Sequence, residues 1–272
     1  MSLTTFVERP DVKEYLRLNV VKPWFEVHAE IKAPPLTTNY GWAGTAFDYL
    51  LRFYVQKLNP STAKVRRWLA EESLAILERS RIGPSTLKRV RRIVDTAQKQ
   101  HRSYLKNKRE QKPNEELIRA AIDLAQLDLV YRIGRLELLP IDGAMTEDVS
   151  NMLALVRPDD FRAKRTCVLN PIFGAASELV GGADADLLLD RTLIDIKVNK
   201  NLEFGRDIFN QLVGYYCLSC IGGVDGCRGK MKVTEVAAYF ARFGILHRLP
   251  VSSFVDSSRL PALLAWFKTA CD

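Results

Sequence analysis

The chain contains few of the residues from which several common sites are built. Its three histidines, His28, His101 and His247, are far apart in the sequence and lack the spacing of a metal site. We find no glycine-rich phosphate-binding loop, no internal repeat and no low-complexity tail. These absences argue against a histidine-based metal centre, a nucleotide-binding loop and a repeat architecture.

Long apolar segments are also missing from the sequence. No stretch of the 272 residues is long and apolar enough to span a bilayer. Residues 1–10 lack the basic and apolar regions of a secretion signal. We therefore expect a cytoplasmic protein that does not associate with membranes.

Two predicted strands carry acidic residues between apolar ones. They cover residues 181–189 and 192–198, with Asp190 and Arg191 as the two turn residues between them. Leucine, isoleucine and valine are readily buried in such strands, whereas a buried charge is unfavourable without a partner. Acids in this context therefore point to a functional cluster.

Antiparallel pairing across this turn would place Asp186 opposite Asp195, and Asp184 opposite Lys197. Alternate side chains share a face, so we expect all four on one side of the sheet, with opposed Cβ atoms about 5 Å apart. Two adjacent carboxylates repel each other unless a cation lies nearby, and oxygen ligands suit Mg²⁺ or Mn²⁺. The alternative for Asp184 and Lys197 is a simple cross-strand ion pair.

A third motif follows on a predicted helix, where Gln211 and Tyr215 are four residues apart and share a face. A strand Asp186, then Asp195-x-Lys197, then this Gln-x-x-x-Tyr pair resembles the PD-(D/E)xK nuclease superfamily, specifically its RecB-like branch. The resemblance rests on these motifs. An x-Asp-x-Lys sequence alone would be a weak signal, but the three motifs in this order are a strong one.

The resemblance implies a role for each matching residue. Lys197 would support the attacking water, while Gln211 and Tyr215 would contact or organise the phosphate end of the site. The groups that would bind Mg²⁺ or Mn²⁺ are Asp186, Asp195 and the carbonyl of Ile196.

The same family usually has a first motif on an upstream helix, in which glycine and apolar residues precede His or Glu. The helix predicted over 44–58 starts at Gly44 and has Asp48 at that position, which departs from the pattern. Asp48 would reach a metal only through water, or is simply an acid favoured near a helix N-terminus. Glu178 and Asp184 are lower-ranked candidates for the same acidic role.

Some RecB-like relatives hold an iron–sulfur cluster, and five cysteines raise that question here. Cys217, Cys220 and Cys227 are grouped, but the first two fall inside the helix of the third motif. Cys167 or Cys271 would have to supply the remaining ligand. We therefore expect buried thiols rather than a cluster, and no disulfides in a cytoplasmic setting.

Positive charge is in excess and is concentrated in one segment. The chain has 40 lysines and arginines against 32 aspartates and glutamates, a formal net charge of +8. Between residues 81 and 112 only Asp95 and Glu110 are acidic, so a helix over 84–110 would carry a basic stripe. The alternative is a solvated helix face. Given the nuclease motifs we favour nucleic-acid contact through Lys88, Arg89, Arg91, Arg92, Lys99 and Arg102.

The expected fold is α/β, with a restriction-endonuclease-like mixed central sheet flanked by helices and an N-terminal helical elaboration. Residues 1–160 would be mainly helical and 161–272 would form the nuclease core, together one unit. Helices are predicted near residues 12–18, 44–58, 60–79, 84–110, 114–135, from 146 onward, 206–221 and 258–271. Strands are predicted at 167–169, 178–189, 192–198 and 233–243.

These patterns together predict a Mg²⁺-dependent deoxyribonuclease that hydrolyses phosphodiester bonds, in phage defence, recombination or repair. DNA would be its partner, with a helicase or another subunit possible in a larger complex. Two alternatives stay open. One is a catalytically weak or inactive nucleic-acid-binding subunit of a larger complex, its activity weakened by Asp48 in place of the expected residue, and the other is an RNA-directed nuclease.

Overall fold

A six-stranded mixed sheet organises the chain, of which the computed structural model describes residues 2–227 and 231–271. The strands lie side by side in the order of the sequence. The first pair and the β4–β5 pair are parallel, and the other neighbours are antiparallel. The strands are β1 Ala63–Lys64, β2 Cys167–Leu169, β3 Leu187–Leu189, β4 Thr192–Lys197, β5 Glu235–Phe240 and β6 Ile245–Pro250.

Helices cover both faces of this sheet. They are α1 Leu3–Val7, α2 Pro10–Asn19, α3 Tyr40–Leu58, α4 Leu69–Glu78, α5 Pro84–Lys106, α6 Glu115–Ile133, α7 Gly143–Ala154, α8 Ala176–Leu179, α9 Arg206–Gly222 and α10 Leu260–Cys271. None of the helices in the described residues has the length and apolar composition needed to cross a membrane.

The two layers of helices form two separate apolar cores. On one face, α3 to α7 pack over Leu187, Ile194 and Tyr239. On the other face, α1, α2, α9 and α10 pack over Leu188 and Leu193. Because successive strand residues point to opposite faces, a strand covered on both sides reads as a continuous apolar run. The expectation of an α/β fold with a mixed sheet between helices is confirmed at this level.

Most predicted helices are present, with shifted ends. The helix predicted over 84–110 is α5, which ends at Lys106. The helix predicted over 60–79 starts only at Leu69, because the residues before it form a turn and the short strand β1. Helix α7 was predicted from residue 146 onward but begins at Gly143, where the Asp142 carboxylate caps it by accepting a hydrogen bond from the Met145 amide at 2.7 Å.

Two predicted strands are wrong in extent. Residues 178–189 were expected to form one strand, yet the segment begins within α8 and only Leu187–Leu189 belongs to the sheet. Residues 233–243 were also expected to be one strand, but β5 ends at Phe240 and a turn through Gly244, with φ +64°, leads into β6. His247 therefore lies within β6 and not after the last strand.

A fully buried ion pair connects the helical layer to the sheet. Arg242, in the turn after β5, donates two hydrogen bonds to Asp148 of α7, at 2.7 and 2.9 Å, and both side chains are 0% exposed. The guanidinium also donates to the Ala33 carbonyl at 3.0 Å, and the Lys32 and Ala33 amides donate to the Arg242 carbonyl. Three segments distant in sequence are held together at this point.

Candidate active site

The acidic motif residues meet where β3 begins, beside the second half of β4. The predicted pairing of Leu189 with Thr192 is confirmed, and the ladder stops at Leu187. Beyond that point Asp186 contacts β4 through its side chain, because its Oδ2 accepts a hydrogen bond from the Ile196 amide at 2.5 Å. The carboxylate thereby satisfies a backbone donor that β3 leaves without a strand partner.

Asp184 does not lie opposite Lys197 as predicted. It forms a bridge with Ile172, and the neighbouring Asn170 amide donates to the Asp186 carbonyl at 2.9 Å. Backbone groups of residues 184–186 are thus paired with residues 170–172 rather than with β4, so the register could not be counted further along the hairpin. The Asp184 side chain is exposed.

Lys197 is held between β4 and α9. Its Nζ lies 2.6 Å from Asp195 Oδ2 and donates a hydrogen bond to Gln211 Oε1 at 2.8 Å. Gln211 Nε2 in turn donates to the Tyr215 hydroxyl at 3.0 Å, and that hydroxyl donates to the Asp184 carbonyl at 2.9 Å. The Gln-x-x-x-Tyr pair therefore fixes the ammonium group, and Tyr215 anchors this chain of contacts to the backbone.

Burial and like charge dominate the electrostatics of these groups. The Asp195 side chain is only 5% exposed and that of Lys197 18%. Burial lowers the pKa of Lys197, but the Asp195 carboxylate outweighs it, so the pKa lies above its usual value and the ammonium stays charged. Burial, followed by the carboxylates of Asp48 and Asp195, raises the pKa of Asp186 well above the usual range.

Asp48 of α3, in the helical layer opposite α9, lies close enough to Asp186 for its charge to raise the pKa of Asp186. Burial raises the pKa of Asp48 itself, and Arg52 and Asp184 act on it in opposite directions. Arg52 Nη2 forms an ion pair with Asp48 Oδ2, while Asp48 Oδ1 is buried without a hydrogen-bond partner among the described residues. Arg52 is not among the site residues predicted from the sequence, although the i, i+4 spacing of an acid and an arginine on a helix is a recognisable signal.

A second buried network, formed by Tyr49 and Asp128, also contacts Arg52. Its guanidinium lies 4.8 Å from the centre of the Tyr49 ring. The Tyr49 hydroxyl donates to Asp128 at 2.7 Å and accepts from the Ala70 amide at 3.2 Å. Burial raises the pKa of Asp128 to about 6 even though Tyr49 and Arg52 lower it. These contacts limit the positions that Arg52 can take.

A divalent cation at this site would have the carboxylates of Asp186 and Asp195 and the carbonyl of Ile196 as protein ligands. Within residues 2–227 and 231–271, no group of three His, Cys, Asp or Glu side chains is placed to hold a metal ion. Two carboxylates and a carbonyl, completed by water, are nevertheless a normal donor set for Mg²⁺. Burial is the main reason why ionisation of Asp186 is unfavourable, and the carboxylates of Asp48 and Asp195 add to it. The buried Asp48 Oδ1 has no hydrogen-bond donor among the described residues.

Glu178 is placed differently from the other acidic candidates. It lies in the short helix α8 with an exposed side chain. Among the described residues, no hydrogen bond or ion pair connects it to the cluster around Asp195. Its proposed role in metal binding has no support from these contacts.

The basic residues of α5 all lie on its exposed side. The helix buries Val90, Val94 and Ala97 against α3, α4 and α6. Lys88, Arg92, Lys99, Arg102 and Lys106 recur at helical spacing on the opposite side, and only Asp95 interrupts them. The stripe runs for about 27 Å at 1.5 Å per residue. Arg89 and Arg91 flank it, and Arg91 forms an exposed ion pair with Glu78 at 2.9 Å.

The histidine of α5 belongs to the core and not to this stripe. His101 packs 4.2 Å from the Phe53 ring centre and 5.4 Å from that of Trp68. Burial lowers the pKa of His101 to about 4, so the imidazole is neutral at physiological pH. Of the two cysteines in α9, Cys217 is buried and Cys220 is exposed.

Helix α1, which the sequence analysis did not predict, extends the site at the α9 side. Gly214, between the two residues of the third motif, leaves space for Leu3, since an added Cβ would lie 2.7 Å from Leu3 Cδ1. This packing brings Thr4 Oγ1 within 3.4 Å of Gln211 Nε2. Thr4 is exposed and therefore lies at the edge of the site.

No protein-family model, curated protein or solved structure matches the chain. The family resemblance is therefore carried by the motif residues alone. Its implications for fold, activity and metal stay predictions.

Proposed function

We propose that this protein is a metal-dependent nuclease that hydrolyses DNA phosphodiester bonds, of the RecB-like PD-(D/E)xK type. The buried Asp195–Lys197 pair beside Asp186, with Lys197 held by Gln211, is the observation that carries the proposal. A largely buried ammonium beside two carboxylates is a costly arrangement, and ionisable groups perturbed in this way are frequent at functional sites. The mixed sheet between two helical layers is compatible with the nuclease fold.

Asp186 and Asp195, with the carbonyl of Ile196, are the groups that would hold Mg²⁺ or Mn²⁺. Such an ion, when bound, polarises the phosphate and lowers the pKa of a water molecule. Lys197 keeps its positive charge beside these groups and is oriented by Gln211, so it is placed to hold the attacking water or to stabilise charge on the phosphate. Asp48 would contribute through water, since Arg52 already occupies one of its oxygens.

The proposed activity predicts that the protein cuts DNA only when a divalent metal is present. Purified protein should degrade labelled DNA with Mg²⁺ or Mn²⁺ and should stop when a chelator is added, because the carboxylates alone cannot polarise the phosphate. The measurement is gel analysis of single-stranded and duplex DNA and RNA, incubated side by side with each metal and with chelator.

Each outcome of this substrate panel has a distinct meaning. Cutting of RNA without cutting of DNA would replace the proposal by the RNA-directed alternative. Binding without cutting under every metal condition would favour the non-catalytic binding subunit. A protein that neither binds nor cuts any of the four substrates would refute the proposal.

The stripe on α5 provides an independent prediction about affinity. Changing Lys88, Arg92 and Arg102 together to glutamate should weaken binding of duplex DNA and reduce its salt dependence. Each lost phosphate contact lowers the slope of log K against log salt by about 0.9. Fluorescence anisotropy over a range of NaCl concentrations measures both effects.

The matched control makes the same change of net charge elsewhere, at Lys13, Lys164 and Lys268, which are also exposed. If affinity depends only on total charge, both triple variants will lose the same amount of affinity for duplex DNA. The stripe is then an ordinary solvated helix face. A larger loss and a lower slope for the α5 variant alone support a specific contact.

A further inference from the structure

A groove lies directly beside the acidic cluster, between the first turn of α3 and the segment that follows β4. It has a volume of about 310 Å³. Its lining residues are Tyr40, Val198, Asn199, Lys200, Asn201 and Glu203. The size is at the lower end of the roughly 300–1,000 Å³ typical of small-ligand sites, which suits one nucleotide unit better than a folded partner.

Two connections place this groove next to the proposed catalytic groups. Val198 directly follows Lys197 in the chain, and an added Cβ at Gly44 would lie 3.7 Å from Val198 Cβ. Gly44 is one turn before Asp48 on α3, and Tyr40 is one turn further, about 12 Å from Asp48 along the helix axis. The groove therefore lies within the length of a few nucleotides of the acidic cluster.

The groove presents an aromatic ring and a cation that the fold itself does not use. Tyr40 is 51% exposed, although tyrosine is an amphipathic side chain that usually buries its ring. Within the described residues, neither the Tyr40 hydroxyl nor the Lys200 ammonium has a hydrogen-bond or ion-pair partner. Asn201 Nδ2 donates to Glu203 Oε1 at 3.4 Å, so the single acid of the lining is partly engaged.

We infer that this groove binds an unpaired base of a single-stranded nucleic acid whose backbone extends to the acidic cluster, and this inference rests on the nuclease function proposed above. Tyr40 provides the stacking surface and Lys200 contacts the neighbouring phosphate. A base has to leave a duplex before its face can lie on Tyr40. The groove therefore selects single strands or frayed ends over intact duplex.

The test measures binding by fluorescence anisotropy with a labelled oligothymidine and with a blunt duplex of matched length. Lys197→Ala is present in every protein so that substrate is not consumed. Tyr40→Ala should weaken oligothymidine binding by about 5-fold to 100-fold, the effect expected for one lost base stack. Tyr40→Phe, which keeps the ring, should bind as the parent does, and Lys200→Ala should lower the salt dependence.

Tyr131→Ala is the matched control, because Tyr131 on α6 is 54% exposed, close to the value for Tyr40. It should leave both affinities unchanged. The inference is overturned if Tyr40→Ala loses no affinity for oligothymidine, or loses only as much as Tyr131→Ala does. It is also overturned if Tyr40→Ala loses as much affinity for the duplex as for oligothymidine. Thermal unfolding of every variant establishes that the exposed substitutions leave the fold intact.

Failure of this inference is separable from failure of the nuclease proposal. If the otherwise unmodified protein cuts DNA with Mg²⁺ but Tyr40→Ala cuts and binds single strands normally, only the groove assignment is wrong. If it cuts nothing but still binds oligothymidine through Tyr40, the groove assignment holds and the nuclease proposal is wrong.

Discussion

Asp186→Asn is expected to abolish DNA cleavage and, in the presence of a chelator, to make the protein more stable. Loss of one of two carboxylate ligands removes several kcal/mol of transition-state stabilisation, and about 4 kcal/mol corresponds to roughly a 1,000-fold lower rate. The asparagine oxygen can still accept the hydrogen bond from the Ile196 amide. A disturbed fold is therefore not the expected cause of inactivity.

The gain in stability follows from the burial of the Asp186 carboxylate beside two other carboxylates. The pKa of Asp186 is raised in the folded protein by burial and then by Asp48 and Asp195, so at neutral pH its ionisation is less favourable in the folded than in the unfolded chain. Asparagine removes that penalty. A gain of about 1 kcal/mol would raise the thermal midpoint by roughly 2 °C. The gain should disappear at low pH, where Asp186 is protonated in both states.

The measurements are initial rates of DNA cleavage with Mg²⁺ and thermal unfolding with chelator, at neutral and acidic pH. Asp159→Asn, at an exposed position, is the matched control and should change neither quantity appreciably. Full metal-dependent activity of Asp186→Asn would show that the site lies elsewhere. Lower stability at neutral pH would show that ionisation of Asp186 is not unfavourable in the folded protein.

Removal of Lys197 should have the opposite effect on stability. Lys197→Met takes away the cation that compensates the buried Asp195, so this variant should be both inactive and less stable. Lys164→Met, at an exposed lysine, is the control. The two opposite signs, for Asp186→Asn and Lys197→Met, distinguish a negatively charged metal site from a balanced ionic network.

The largest expected effect on folding comes from the buried pair of Asp148 and Arg242. Asp148→Ala should lower the free energy of unfolding by about 3–5 kcal/mol, because it leaves a guanidinium buried without its counter-charge. The Lys32–Ala33 segment, α7 and the turn after β5 would all lose a shared anchor. Urea unfolding followed by circular dichroism measures the change.

A double variant and a surface control sharpen this prediction. Asp148→Ala combined with Arg242→Met should recover part of the lost stability, since no unpaired charge is then buried. Glu14→Ala breaks the exposed ion pair with Arg17 and should change stability by less than about 1 kcal/mol. A loss for Asp148→Ala no larger than that of Glu14→Ala would mean that the buried pair is not an anchor.

The sequence by itself determined the elements whose signals are local. Helix α5 could be located from its apolar spacing, its initial proline and its many charged residues. The turn at residues 190–191 determined the pairing of Leu189 with Thr192. The spacing within Asp195-x-Lys197 and Gln211-x-x-x-Tyr215 identified residues that do contact one another. Strand alternation and helical periodicity are properties of neighbouring residues, so they can be read without a structure.

The tertiary structure alone decided which backbone groups pair across long separations. Residues 184–186 bond to residues 170–172 and not to β4, so Asp184 left the predicted ladder and Asp186 reached Ile196 through its side chain. The tertiary structure alone also placed β1 and β6 in the sheet. It likewise placed Arg52 between Asp48 and the Tyr49 ring, and paired Arg242 with Asp148. A buried polar group must find a partner wherever the folded chain provides one, and sequence spacing does not record where that is.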